Sequence, residues 1–102
     1  MQHDLFDNPN RRMRAIYPFL AVLQANLAES EHRIVAPLAV RRVLPDTVPR
    51  SMPVVAHDGS DYGLLLPLMG AVPVRLLRHA VGSIAQHRDD ITRALDWLLW
   101  GV

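Results

Sequence analysis

The sequence predicts an α+β fold, mostly β, in which one C-terminal helix closes a small antiparallel barrel. Short runs rich in leucine and β-branched residues alternate with turn residues along most of the chain, at the spacing of a sandwich or barrel. The C-terminal segment instead repeats apolar side chains at helical spacing, at Ile84, Ile91, Leu95 and Leu98. Strands followed by a helix are the order of an α+β domain.

Six runs have the composition of strands: residues 2–6, 17–24, 33–40, 52–56, 62–69 and 72–77. Prolines stand in nearly all of them, at Pro18, Pro37, Pro53, Pro67 and Pro73. Because proline cannot donate to a hydrogen-bond ladder, we expect these strands to be edges, bulged or sharply bent. A small, strongly coiled barrel follows, and a flat central sheet is excluded.

The connections between the later runs carry turn signals. The segment 57–61 contains Asp58-Gly59, which predicts a hairpin turn with glycine available for a positive φ. Residues 44–50 contain Pro45 and Pro49 and predict a loop or a small excursion from the barrel.

The C-terminal helix places its two tryptophans away from its apolar stripe. At about 100° per residue, Trp97 and Trp100 fall among charged residues, where Asp89 and Arg93 predict a solvated i, i+4 pair. A large ring on a charged face, beside a free carboxylate, offers much contact area at small entropic cost, as protein-binding hot spots do. Recognition of another protein is therefore the first functional hypothesis, and Trp100 should remain accessible to solvent.

Length and composition indicate a single domain, residues 1–102, of the soluble globular class. Half of the 102 residues are hydrophobic, 21% are charged and none is cysteine, which fits a reducing compartment and excludes disulfides and thiolate metal sites. Asp4 stands where a signal peptide carries basic residues, and Pro18 breaks the longest apolar run. The formal net charge of +1 provides no global field for nucleic acid. We expect a cytoplasmic protein that neither enters a membrane nor binds nucleic acid specifically.

Catalytic patterns are weak. The five histidines include no i, i+4 pair on a helix, and no glycine-rich loop precedes a helix. His57, Asp58 and Ser60 contain the letters of a triad but fall in the predicted turn, without a nucleophile elbow. We therefore expect no catalytic residue, no metal and no cofactor.

One basic cluster, Arg11, Arg12 and Arg14, follows the turn Asn8-Pro9-Asn10. A mobile loop with three arginines suits phosphate or carboxylate groups. It is equally well explained as a solvated loop that balances nearby acidic residues. If it binds a partner, an acidic peptide is favoured over nucleic acid, because no aromatic side chain interleaves the arginines.

The C-terminal residues 90–102, DITRALDWLLWGV, resemble the C-terminus of the CcdB family of toxins, which poison DNA gyrase and belong to bacterial toxin–antitoxin pairs. The blocks RIVAPL at 33–38, PVV at 53–55 and AVPV at 71–74 match in the same order, as do the start Met1-Gln2 and the length. The resemblance covers essentially the whole chain. It implies an SH3-like barrel with a small side sheet, a long C-terminal helix, and a homodimer that presents two C-termini side by side.

The resemblance also implies two binding sites. For the gyrase A subunit it implies a terminal tripeptide with supporting positions, in which the indole stacks on an arginine of the target: Trp100, Gly101 and Val102, with Gln2, His3, Gln24, Asn26 and Asp96. His3, Asn26 and Asp96 depart from the usual aromatic, aliphatic and amide residues, which bears on gyrase affinity. The region near which the antitoxin binds corresponds to Asn8, Asn10, Arg11, Arg12 and Arg14, and these arginines suit an acidic, initially disordered CcdA-like tail.

The sequence is thus interpreted as a non-catalytic toxin that inserts into an opened gyrase A dimer and stabilises the complex with cleaved DNA. Two alternatives remain open. Ribonuclease toxins of the MazF/Kid type share this barrel, and fold does not fix function. A relative that still binds an antitoxin without harming gyrase would have the same sequence features.

Overall fold

The computed structural model describes residues 1–25 and 31–102, so the predicted gyrase contact Asn26 lies outside the described residues. Within that part the strands are β1 (Asp4–Asp7), β2 (Phe19–Val22), β3 (His32–Val40), β4 (Val54–His57), β5 (Ser60–Leu64), β6 (Gly70–Pro73) and β7 (Gly82–Ser83). They are followed by the helix α1 (Arg88–Trp100). Short 3₁₀ turns lie at Arg11–Met13, Arg41–Val43, Leu66–Leu68, Val74–Leu76 and Ala85–His87.

The described strands form one antiparallel sheet in the order β4-β5-β3-β2-β1-β7, and β6 pairs with β3 beside β5. The sheet curls into a nearly closed barrel, and α1 packs against it. The predicted α+β, mostly β class is confirmed. The short strand β7 was not predicted, because its two residues are too few to show a period of two.

Of the three arrangements expected for proline-bearing strands, an edge position does not apply to Pro37, since it lies inside the central strand β3. Pro37 pairs with Leu20 of β2, and its carbonyl accepts a hydrogen bond from the N–H of Leu65 at 2.9 Å on the other side. On that side β3 changes partner, from β6 to β5. In a strand, the N–H and the carbonyl of one residue point to the same side. The side on which Pro37 lacks an N–H therefore faces the break between β6 and β5, where no ladder hydrogen bond is needed.

The remaining prolines of the predicted strands shorten those strands. Pro18 and Pro53 directly precede β2 and β4, and Pro73 is the last residue of β6. Pro67 lies in a 3₁₀ turn, so the run 62–69, predicted as one strand, ends as β5 before that turn. At these positions proline lies where a strand begins or ends, which removes no interior ladder bond.

The predicted hairpin between β4 and β5 is confirmed. Asp58 and Gly59 both have positive φ, 50° and 80°, and His57 pairs with Ser60 across them. Two central residues with positive φ make a type I′ turn, whose twist matches that of the flanking strands. The predicted loop over 44–50 is also present, apart from the 3₁₀ turn that precedes it.

The apolar face of α1 packs into the main core. Ile91 and Ala94 are buried, and Leu95 and Leu98 pack against the same cluster, as their spacing predicts. Ile84 belongs to this cluster and is fully buried, but it precedes the helix, which begins at Arg88. The cluster also includes residues of β1, β3 and β5, so the helix is held against several strands.

Two histidines bridge the gap that remains between β4 and β7, the two ends of the sheet order. His57 of β4 lies over Gly82 of β7, close enough that a Cβ on Gly82 would collide with the imidazole. His87 Nε2 accepts a hydrogen bond from the N–H of Ala56 at 3.0 Å. That N–H points away from β5, so His87 satisfies a donor that an edge strand otherwise exposes.

The contacts of His57 with Gly82 and of His87 with Ala56 form a seam between β4 and β7. This seam predicts a loss of stability for one glycine substitution and almost no change for another. In Gly82→Ala the new methyl would lie 2.7 Å from His57 Nδ1, and we expect a loss of about 1–3 kcal/mol in unfolding free energy. In the control Gly70→Ala the methyl meets nothing within 4 Å, and a change within about 0.5 kcal/mol is expected. Urea denaturation of both variants measures the difference, and equal losses would contradict the seam.

Candidate functional site

The end of α1 presents an exposed indole on a fixed turn. Trp100, the last helical residue, is 73% exposed, which confirms the prediction that it keeps solvent access. Gly101 has φ 71° and donates its N–H to the carbonyl of Trp97 at 3.0 Å. This is a left-handed C-cap, a conformation that glycine adopts without a Cβ penalty. The chain therefore turns off the helix directly after Trp100.

Beside this turn, a groove of about 530 Å³ runs between α1 and the segment before β4. Trp97 and Val102 line it on the helix side, and Arg50 lines it on the other. The guanidinium carbon of Arg50 lies 4.5 Å from the ring centroid of Trp97, in cation–π geometry. The two tryptophans are three residues apart and share a face of the helix. Trp97 is 41% exposed and is partly covered by Arg50, whereas Trp100 is exposed to a greater extent.

The charged residues of the helix are arranged differently from the prediction. Arg93 pairs with Asp90, three residues earlier, and the predicted pair with Asp89 is wrong. Both spacings place side chains on one face, and here the shorter one is used. Asp96 is exposed and lies four residues before Trp100, so these two predicted gyrase contacts are surface neighbours.

Gln2, His3 and Gln24 come together at one end of the barrel, where each is tied to backbone. Gln2 Nε2 donates to the carbonyl of Leu23 at 3.1 Å, and Gln24 Oε1 accepts from the N–H of Ile34 at 2.8 Å. The N–H of His3 donates to the carbonyl of the last residue of β2 at 2.7 Å. All three side chains are half-buried.

These two groups of predicted site residues lie at opposite ends of α1. The carbonyl of His3 accepts the N–H of Ile84 at 2.9 Å, just before the helix begins, whereas Trp100 ends it. At 1.5 Å per residue the helix places its two ends about 18 Å apart. Within one copy the structure therefore brings Asp96 and the terminal tripeptide together, and Gln2, His3 and Gln24 together, as separate groups.

The arginine cluster, expected as a loop, forms a hydrogen-bonded 3₁₀ turn at Arg11–Met13. The side chain of Asn10 accepts from the N–H of Arg12 at 3.2 Å and caps the 3₁₀ turn. Asn8 is only 8% exposed, and its amide donates to the carbonyl of Tyr17 at 2.9 Å. Arg14 Nε donates to the carbonyl of Asn8 at 2.6 Å. Arg12 and its neighbour Arg11 are exposed, whereas Asn8 shapes the turn from inside.

The structure adds a second arginine pair that the sequence reasoning missed. Arg42 Nη2 donates to the carbonyl of Ala15 at 3.1 Å, and the N–H of Val40 donates to the carbonyl of Ile16 at 2.9 Å. These bonds place Arg41 and Arg42 next to the first arginine turn. The adjacent arginines were visible in the sequence, but nothing local indicated their neighbours.

The structure locates the residues with triad letters in the β4–β5 hairpin. The ring of His57 packs edge-on against Phe19, with centroids 5.0 Å apart. In the described ranges, no group of three or more histidine, aspartate or glutamate side chains is placed to hold a metal ion. Over the same residues, no helix has the length and apolar character needed to cross a bilayer.

A family model described as the CcdB protein matches residues 2–101 of this 102-residue chain. The chain belongs to the CcdB family. It is accordingly a toxin of the toxin–antitoxin class, and the match spans the barrel, the arginine turn, α1 and Gly101.

His3, one of the predicted site residues, has a pKa that differs from its usual value. The pKa of His3 lies below its usual value of 6.5, first because burial penalises the imidazolium and second because Arg88 is nearby, while Asp4 opposes the shift. His3 also has a φ of 68°, which asparagine tolerates better than most residues. Because the lowered pKa means that the folded chain binds the proton more weakly than the unfolded chain, protonation of His3 destabilises the folded state.

This shift predicts a pH dependence of stability. At pH values above 6.5 His3 is neutral in both states and imposes no penalty. As the pH falls below 6.5 the unfolded chain binds the proton first, so stability is lost until the pH passes below the lowered folded pKa. Urea denaturation over this range should show a smaller loss for His3→Asn than for the wild type. Both proteins carry the other four histidines, so the difference between their pH profiles reports on His3 alone. Identical pH profiles would contradict the shift.

Proposed function

We propose that this CcdB-family toxin binds the A subunit of DNA gyrase through its C-terminal turn and stabilises the complex of gyrase with cleaved DNA. The observation that carries the proposal is the exposed indole of Trp100 on a helix that Gly101 ends in a left-handed cap. Family membership supplies the class of target. The proposed role is a binding function and not catalysis.

The chemistry of the turn supports recognition of a cationic surface. An indole that stacks on an arginine contributes roughly 0.5–2 kcal/mol, depending on how far the pair is desolvated. The exposed carboxylate of Asp96 on the same face adds attraction for a positively charged partner. We assign Gln2, His3 and Gln24 to the same function as a second contact region, about 18 Å along α1 from Trp100. Asn26, which lies outside the described residues, is assigned to this function from the family resemblance alone.

We further propose that the toxin acts as a homodimer that presents two such turns. Several large apolar side chains of one copy are exposed, including Ile34, Leu68 and Leu76. A two-fold partner that covers part of this surface removes it from water. Two turns on one particle give the complex two contacts for a single association cost.

Neutralisation by a CcdA-like antitoxin is assigned to the arginine turn. Arg11, Arg12 and Arg14 are all exposed, and Arg14 is also fixed through its bond to Asn8. An acidic, initially disordered segment gains charge-assisted hydrogen bonds here as it folds. Asn8 and Asn10 serve this site by holding the turn in shape.

Removal of the terminal tripeptide tests the gyrase proposal. A chain that ends at Leu99 keeps Ile91 and Ala94 in the core, so it should fold, bind the antitoxin and sediment like the full chain. It should not trap gyrase on cleaved DNA, because loss of a hot-spot anchor costs about 2 kcal/mol or more at each site. The measurement is a cleavage-complex assay with purified gyrase. Leu99→Ala, which trims a 58% exposed neighbour, is the matched control and should poison normally.

The other outcomes of this assay separate the alternatives. Equal poisoning by the truncated and full-length chains would overturn the assigned site. If neither chain poisons gyrase while both cleave RNA, the ribonuclease alternative replaces the proposal. If neither has an effect on gyrase or RNA but both bind the antitoxin, the chain is a non-toxic relative.

Charge removal at the arginine turn tests the antitoxin proposal. Arg11→Gln combined with Arg12→Gln should weaken antitoxin binding by about 0–2 kcal/mol, since exposed charge pairs contribute about 0–1 kcal/mol each. The salt dependence of binding should also decrease. Calorimetry at two salt concentrations measures both effects. The double variant Arg75→Gln with Arg93→Gln removes the same charge from exposed sites elsewhere, and an equal loss there would refute a specific role of the turn.

A further inference from the structure

The last turn of α1 is held on two sides by different interactions. On the core side, Leu98 packs against the buried cluster. On the outer side, the guanidinium of Arg50 lies over the ring of Trp97 at 4.5 Å. Arg50 lies outside the described strands, in the segment before β4, and it contacts the helix at the turn that presents Trp100.

Trp97 connects this contact to the terminal tripeptide through its own backbone. The ring of Trp97 stacks with the guanidinium of Arg50, and the carbonyl of Trp97 accepts a hydrogen bond from the N–H of Gly101 at 3.0 Å. That hydrogen bond closes the left-handed cap and sets the direction in which the chain leaves the helix. Val102 then lies along the same groove as Arg50 and Trp97. The contact with Arg50 and the hydrogen bond of the cap therefore meet at one residue, Trp97.

Arg93 provides a contrast within the same groove. It also lines the groove, but its guanidinium pairs with Asp90 on the helix itself. It therefore adds a similar positive charge without joining α1 to the segment before β4. Comparison of the two arginines separates the effect of a stack from the effect of charge.

We propose that Arg50 is a positioning residue for the C-terminal recognition turn: by stacking on Trp97 it orders the Gly101 cap and fixes the direction of Trp100 and Val102. This inference rests on the proposed gyrase function for its biological consequence, and on the Arg50–Trp97 contact for its structural part. An ordered turn binds more tightly, because less conformational freedom is lost on association.

The first measurement is structural and does not involve gyrase. In NMR spectra of the full chain, the side-chain protons of Arg50 should be shifted upfield by the ring current of Trp97. Arg50→Gln should leave the melting temperature nearly unchanged but broaden or shift the Gly101 amide and the Trp100 indole signals. Arg93→Gln should leave both signals as in the wild type, and Arg50→Lys should retain part of the order because a cation remains.

The second measurement is functional. Gyrase poisoning by Arg50→Gln should require about two- to fivefold more protein than wild type, the factor expected for an exposed cation–π contact, while antitoxin binding stays unchanged. Arg93→Gln should poison like the wild type. In a Trp97→Leu background, Arg50→Gln should have no additional effect, because the stack is already absent.

The outcomes separate this inference from the proposed function. If wild-type protein does not poison gyrase, the proposed function fails, and the inference is decided by the NMR signals alone. If Gly101 and Trp100 remain ordered in Arg50→Gln, the positioning role is overturned. Equal losses of poisoning in Arg50→Gln and Arg93→Gln would attribute the effect to groove charge and would also overturn it.

Discussion

The pairing of β3 is the constraint on which the rest of the structure depends. Its nine residues pair with β2 along one edge and with β6 and then β5 along the other, so three strands take their register from this one. The change of partner occurs at Pro37, the residue that has no N–H to offer at the break. Leu38 of β3 and Ile91 of α1 belong to the same core cluster, so the strand also locates the helix. The position of the C-terminal turn follows from that packing.

The parts of the fold that depend on neighbouring residues could be predicted from the sequence. The Asp58-Gly59 turn and the apolar stripe of α1 are local signals, and both were correct. The role of Pro37 could not be predicted, because the cost of a proline depends on which strand faces its missing N–H, and that strand comes from a distant part of the chain. The seam between His57 and Gly82 is likewise a contact between the two ends of the sheet order.

The candidate site shows the same division. Exposure of Trp100 followed from helical spacing. The role in recognition proposed for it rests on the hot-spot character of an exposed indole and on the resemblance to a family. The sequence contains no signal for the stack of Arg50 on Trp97, since no spacing rule connects a loop residue to a helix that lies about forty residues further along the chain. Burial of Asn8 was also hidden, because a turn that satisfies its own polar groups has the same composition as an exposed one.

The length of β3 also separates the two surfaces assigned to partners. Gln24 bonds to Ile34 near the start of the strand, whereas the segment after the arginine turn bonds to Val40 at its end through Ile16. Six residues of strand span about 20 Å. An antitoxin that contacts Arg11 and its neighbours must therefore extend about 20 Å along the barrel before it competes directly for the surface around Gln24. An elongated, disordered tail can do so, because about six extended residues cover that distance. An acidic segment of about six extended residues is therefore sufficient to connect the two surfaces assigned to partners.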